Sequence, residues 1–191
     1  MHNHDILDFD DVIIENEPFN HFFVNLVLKD GLEIKLLEWL ESTDNWDFTE
    51  TDFYTQYEFS LLNVDIPEEL FSLLDPQTIN CIKKQFNTNS LELVGLTVHK
   101  LIDGYKMGVH NDFIGKDESH RFLIQINSGW TEDNGGYLML FNSMNSEDVS
   151  KIIMPLNNTG FGFEISPKSY HAVSTVYNFS RYTLVYTFKD I

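Results

Sequence analysis

Between residues 91 and 191 the chain is cut into eight apolar runs with turn signals in the gaps. The runs cover residues 91–102, 106–112, 120–127, 136–142, 151–155, 160–165, 171–177 and 181–189. The breaks hold Asp103-Gly104, Asn134-Gly135-Gly136, Asn157-Asn158 and Ser166-Pro167. Short strand-like runs broken by turn-forming residues at this spacing restrict the chain to a β-sandwich or jelly roll. An aromatic share of 14% suits such an interior.

The first half has a different character. Residues 1–17 are polar and acidic and read as an extended arm. Residues 21–28 read as a strand. Leu32, Ile34, Leu36, Leu37, Trp39 and Leu40 recur at largely helical spacing up to Ser42. Residues 42–52 read as loop and residues 53–62 as an alternating aromatic strand. Pro67 then opens a helix, with Glu68 and Glu69 at its positive end. Leu70, Leu73, Leu74, Ile79, Ile82 and Phe86 form its buried side, with a bend near Pro76. Helices ahead of the strands would cover one sheet. The expected fold is therefore mainly β with supporting helices, an α+β arrangement around a jelly-roll core. Residues 1–90 would form the acidic arm and the helical and strand support. Residues 91–191 would form the core, and the whole would be one structural domain.

Charge narrows the partners. Residues 1–90 carry 19 Asp/Glu and 4 Lys/Arg, a net of −15, and residues 91–191 carry 11 and 8, a net of −3. Nucleic acid needs cationic footing for its phosphates, so it is an unsuitable partner. The acidic half serves solubility, or attracts a basic peptide or protein. No run is long and apolar enough for a membrane span. The acidic start lacks the basic and apolar segments of a secretory signal. The single cysteine, Cys81, excludes an internal disulfide and fits a reducing cytoplasm.

Within the core one pattern carries chemistry. His110-Asn111-Asp112 at a strand end puts an imidazole and a carboxylate on one face, since side chains two apart on a strand point the same way. His171 can add a second imidazole from a distant strand. Two His and one carboxylate on one side of a metal leave the opposite positions open, an arrangement suited to non-haem Fe(II). His-x-Asp by itself is a common pair and decides little. Ten residues after His171, Arg181 and Thr183 stand two apart on the last strand, a guanidinium and a hydroxyl able to grip a carboxylate. His99 and His120 read as structural histidines of core strands. His2, His4 and His21 lie in the wrong part of the chain.

These residues sit in a longer ordered pattern. It comprises DGYKMGVHND at 103–112, HRFLIQINSGWTEDNGGYLMLF at 120–141, GFGFEISPKSYHAV at 160–173 and RYTLVYTF at 181–188. Over about residues 91–190 the chain resembles the prolyl-hydroxylase-type branch of the Fe(II)- and 2-oxoglutarate-dependent dioxygenases. The resemblance implies a double-stranded β-helix core, with His110, Asp112 and His171 as iron ligands. Arg181 would pair with the distal carboxylate of 2-oxoglutarate, with Thr183 as helper. It implies Fe(II), 2-oxoglutarate and O2, with ascorbate as an optional reductant. Gly135 and Gly136 match the family's architectural turn.

Two departures stand out. The family often has co-substrate tyrosines where this chain has Leu101 and Met107. Lys100 and Gln125 are the candidates to replace them. Asp112 favours hydroxylation over halogenation, because a halogenase of this family keeps that position small. Thr187 stands where a nucleic-acid demethylase of the superfamily would carry a second arginine.

The activity so implied is hydroxylation of an unactivated C–H bond, in a prolyl or other residue of a peptide or protein. A free amino acid or small metabolite is the alternative substrate. A non-catalytic jelly-roll binding module is the alternative of another class. Residues 113–118, residues 143–150 and the N-terminal arm are the segments expected to hold the substrate.

Overall fold

A computed structural model describes residues 6–88, 90–115 and 117–191. His2 and His4 lie outside the described residues. The first half forms β1 (Ile13–Glu15), β2 (His21–Asn25), helix α1 (Leu32–Ser42), β3 (Asp47–Glu50) and β4 (Thr55–Ser60). A 3-10 turn (Glu68–Leu74) and helix α2 (Pro76–Gln85) follow. The second half forms β5 (Leu91–Leu101), β6 (Met107–His110), β7 (His120–Gln125), β8 (Leu138–Phe141), β9 (Val149–Ile153), β10 (Thr159–Glu164), β11 (His171–Val173) and β12 (Arg181–Asp190).

All eight strands expected after residue 90 are present. They build two antiparallel sheets, one ordered β1-β2-β10-β7-β12-β5-β4-β3 and the other β6-β11-β8-β9. The fold is mainly β, with α1, the 3-10 turn and α2 in support.

Strand β12 explains the layering. Tyr182, Leu184, Tyr186 and Phe188 belong to the core shared with α1 and α2, which includes Leu36, Leu40, Leu70 and Ile82. The Tyr186 hydroxyl donates to the Leu73 carbonyl at 2.9 Å, tying the helical layer to the sheet. The alternate residues Arg181 and Thr183 face the space between the sheets and line a pocket there. Both faces of β12 are buried, so its sequence is nearly continuous in large side chains.

Strand β10 shows the same division. Phe161 and Phe163 pack between the sheets with Leu138 and Leu140. Gly160 and Gly162 face the helical side. A Cβ on Gly162 would stand 2.2 Å from the Phe22 ring, so only glycine lets Phe22 lie flat there.

The first half is tied in more closely than its polar sequence suggests. The supposed arm pairs as β1 with β2, and Leu7 bridges Leu28 and is buried. The stretch read as loop contains β3, which pairs with β4. Its residues Asp47–Glu50 are mostly exposed and lack an apolar alternation, so only the pairing partner makes them a strand. The long helix expected from Pro67 is split at Pro76, which lacks an N–H and opens α2 at its first turn. No helix among the described residues is long and apolar enough to cross a membrane.

Candidate active site

His110 ends β6 and His171 begins β11, and the two residues are directly paired across the antiparallel strands. Their rings lie 4.2 Å apart between centroids. Asp112 is not on the strand. It follows the end of β6 with φ at +59°, a left-handed conformation that aspartate tolerates better than most residues. The turn is pinned on both sides. Ser169 donates to the Asn111 carbonyl at 3.0 Å, and Asn111 donates its side-chain amide to the Pro167 carbonyl at 3.2 Å. A backbone turn, rather than strand alternation, therefore brings the carboxylate round to the imidazoles.

Asp112 Oδ1 lies 3.3 Å from His110 Nε2, and Oδ2 lies 3.3 Å from His171 Nε2. Each ring has its Nδ1 2.8 Å from a backbone carbonyl two residues earlier, that of Gly108 or Ser169. A carbonyl only accepts, so Nδ1 carries the proton and the neutral ring presents its Nε2 lone pair to the centre. Two lone pairs facing a carboxylate repel one another unless a cation or a proton lies among them. The donor set fits a divalent first-row metal with three positions filled from one side. Burial by itself would raise the Asp112 carboxyl's pKa. Protons on the facing Nε2 atoms of His110 and His171, standing where a metal would otherwise lie, together with the Arg121 guanidinium outweigh it and hold the group well below the usual carboxylate range.

Behind the triad lies Arg181, only 3% exposed. Its Nε donates to the Gly136 carbonyl at 2.9 Å and its Nη1 to Thr183 Oγ1 at 2.7 Å. The Thr183 hydroxyl donates on to Gln125 Oε1 at 3.2 Å. Among the described residues no carboxylate pairs with Arg181, and burial pushes its pKa down to about 10. A buried cation without an anion in the protein is a seat for an anionic ligand. Gly136, at φ +67°, makes the close approach possible, since a Cβ there would meet Arg181 Cδ at 2.9 Å.

Residues 96–188 match the family model of the 2OG-Fe(II) oxygenase superfamily. The core is that of a 2OG-Fe(II) oxygenase. The fold is shared with solved structures at low sequence identity. A Pseudomonas putida prolyl-4-hydroxylase is 15% identical, with a TM-score of 0.71 over 90% of this chain and 92% of that one. A Trichoplax adhaerens prolyl hydroxylase, solved with a hypoxia inducible factor peptide fragment, is 15% identical with a TM-score of 0.71, covering 89% and 83%. The epimerase SnoN of nogalamycin biosynthesis is 11% identical with a TM-score of 0.67, covering 89% and 77%. No curated protein matches the sequence.

The family implies Fe(II), 2-oxoglutarate and O2 and a dioxygenase reaction. The pocket of this oxygenase holds more polar groups than the sequence suggested. His99, read as structural, lines the same cavity as His110, His171, Arg181, Thr183 and Gln125. Strand alternation from Leu101 could have placed it there, but no neighbouring carboxylate in sequence drew attention to it. Burial, followed by the field of Arg121, pushes its pKa down to about 3, so the ring is neutral.

Arg121 is the second addition. Its Nη1 donates to Asp112 Oδ2 at 2.8 Å and its Nη2 to Glu118 at 2.7 Å. Lys100 does not reach the pocket. It lies on the helical face, 5.2 Å from the Trp46 ring centre and 5.6 Å from that of Tyr182, because residue 100 alternates away from 99 and 101. Gln125 does face the pocket, with Oε1 also accepting from Asn127 at 3.2 Å.

His120 bonds Ser119 and packs on Phe86, away from the triad. His21 bonds the Phe19 carbonyl in another part of the fold. The segment beside the triad is the turn into β4, which the sequence did not single out. The Phe53 ring lies 5.4 Å from that of His110, and the Phe53 carbonyl accepts from Gly108 N–H at 2.7 Å.

Proposed function

We propose that this oxygenase hydroxylates a residue of a peptide or protein, prolyl being the first residue to test. His110, Asp112 and His171 would hold Fe(II), and Arg181 with Thr183 would hold the distal carboxylate of 2-oxoglutarate. The observation that carries this assignment is the paired geometry of the site. Two imidazoles already in the ligand tautomer converge on one carboxylate, and a buried arginine without an anionic partner stands behind them. Bound iron, 2-oxoglutarate and O2 supply the oxidant for the C–H bond.

The chain's own groups set geometry. Backbone carbonyls fix both rings, and Arg121 fixes the outer side of Asp112. Thr183 and the Gly136 carbonyl aim the guanidinium. Leu101, Leu123, Leu138, Phe163 and Val173 surround the pocket and keep water from the reacting atoms. Residues 91–191 would be the catalytic core and residues 1–90 its support, in one structural domain.

A peptide is favoured over a small metabolite by a second cavity along the large sheet, which shares His99 and Arg121 with the pocket. Glu58, Ser60, Thr97, Glu118, Arg121 and Thr187 line it, giving an extended chain polar partners beyond the reacting residue. The peptide-bound prolyl hydroxylase of the same fold supports the same reading. With carboxylates at Glu58 and Glu118 and an acidic first half, a basic peptide is the better match. The single cysteine suits a cytoplasmic setting.

The test is succinate release by the Fe(II)-loaded protein, with ascorbate present, on a proline-containing peptide library and on free amino acids. Peptide-dependent release with a mass gain of one oxygen on the peptide supports the reading. Stimulation by free amino acids alone overturns it in favour of a metabolite hydroxylase. Absence of any 2-oxoglutarate consumption would favour a binding module.

A further inference from the structure

Across the inner face of the large sheet, strand register aligns one polar row. Glu58 on β4 is opposite His99 on β5, His99 is opposite Thr183 on β12, and Thr183 is opposite Gln125 on β7. Thr183 and Gln125 are already bonded to each other, and Thr183 accepts from Arg181. His99 is the exception in this row. Among the described residues it makes no hydrogen bond within 3.5 Å, and its nearest charged partner is Glu58 Oε2 at 3.7 Å.

Glu58 is itself satisfied, accepting from Thr49 on one oxygen and from Gln56 on the other, each at 2.8 Å. A polar ring facing a ligand pocket without a protein partner is costly unless a ligand or water completes it. The pocket-facing positions next along the chain, Leu101 and Met107, offer no side-chain N–H or O–H. Lys100 is turned to the other face.

We infer that His99 is a co-substrate-binding residue, donating its ring N–H to a carboxylate oxygen of 2-oxoglutarate lying between the triad and Arg181. This rests on the 2-oxoglutarate reading above and goes beyond it by naming a donor that the sequence pattern did not supply. The neutral ring has one N–H to give, and neither Glu58 nor Thr183 takes it at hydrogen-bond distance. The role makes His99 a determinant of affinity for the dicarboxylate, separate from the metal ligands.

The test uses the full chain loaded with redox-inert Zn(II), with 2-oxoglutarate as probe and calorimetry as readout. His99→Leu removes the donor and should weaken 2-oxoglutarate binding by about tenfold or more, the usual worth of a hydrogen bond to a charged group. His99→Gln keeps an N–H donor and should recover most of that loss. Zn(II) affinity should be unchanged in both. In the wild-type protein the His99 ring nitrogen resonances, assigned by their absence in His99→Gln, should move on adding 2-oxoglutarate and not on adding acetate.

Wild-type affinity in His99→Leu, or equal loss in the two variants, overturns the inference while leaving the co-substrate assignment standing. If His99→Leu fails to fold, an unmoved resonance in the 2-oxoglutarate-bound wild type overturns it instead. A wild-type protein that binds Zn(II) but no 2-oxoglutarate overturns both.

Discussion

Replacing Arg181 with methionine should separate ligand binding from folding, because the two respond differently. Burial lowers the guanidinium pKa from its ordinary value to about 10. At about 1.4 kcal/mol per unit, housing this cation costs the unliganded fold about 3 kcal/mol. Arg181→Met removes that cost and keeps an unbranched chain of similar reach. It also strands the Gly136 carbonyl and one bond to Thr183, at about 1–3 kcal/mol each. The two effects largely offset, leaving a net loss of at most about 3 kcal/mol, so the unliganded melting temperature should fall by no more than about 12 °C.

Binding does not cancel in this way. A desolvated charge pair that loses one partner forfeits about 2–5 kcal/mol. At a concentration 100 times its Kd, 2-oxoglutarate should stabilise the wild-type Zn(II) form by about 2.7 kcal/mol, or about 5–10 °C. At the same concentration Arg181→Met should gain less than about 1 kcal/mol. Thermal melts with and without 2-oxoglutarate decide the matter. An equal ligand-induced shift in both proteins would refute the anchor role. Collapse of the unliganded variant would refute the claim that the buried cation lacks an anionic partner.

Asp112→Ala should remain folded but lose Fe(II) affinity and succinate release together; unchanged succinate release would remove Asp112 from the metal site. Gly136→Ala should cost about 1–3 kcal/mol by overpacking, because the new Cβ would meet Arg181 Cδ at 2.9 Å. It should also weaken 2-oxoglutarate by displacing the guanidinium, which a binding titration on the folded variant would reveal. If the net −15 of residues 1–90 recruits a basic substrate, hydroxylation of a basic peptide should slow as salt rises, since screening sets in beyond about 8 Å at physiological ionic strength. A neutral version of the same peptide should respond far less, and equal salt dependence for the two would confine the charge to solubility.

The core strands were readable from the sequence because each carries its own turn signals and a local excess of apolar residues. Strands β1 and β3 were not, because Ile13–Glu15 and Asp47–Glu50 are strands only through their neighbours β2 and β4. Likewise the arm's Leu7 looks like any residue of a polar segment until Leu28 pairs with it. Local propensity is a weak guide wherever pairing across long sequence distances supplies the hydrogen bonds.

For the site, the sequence by itself determined the chemical parts: two imidazoles, one carboxylate, and an Arg-x-Thr pair in an order that restricts the chemistry. Tertiary structure decided how they meet. Asp112 reaches the imidazoles through a left-handed turn held by Ser169 and Pro167, more than fifty residues away in sequence, rather than by strand alternation. Strand register turns Lys100 onto Trp46 and His99 into the pocket, a distinction of one residue that composition cannot make. Burial, a property of the assembled sheets alone, turns an ordinary Arg181 into a cation in want of an anion. The residue types fix which bonds can form, but the field and the direction at each group are sums over neighbours that only the folded chain brings within reach.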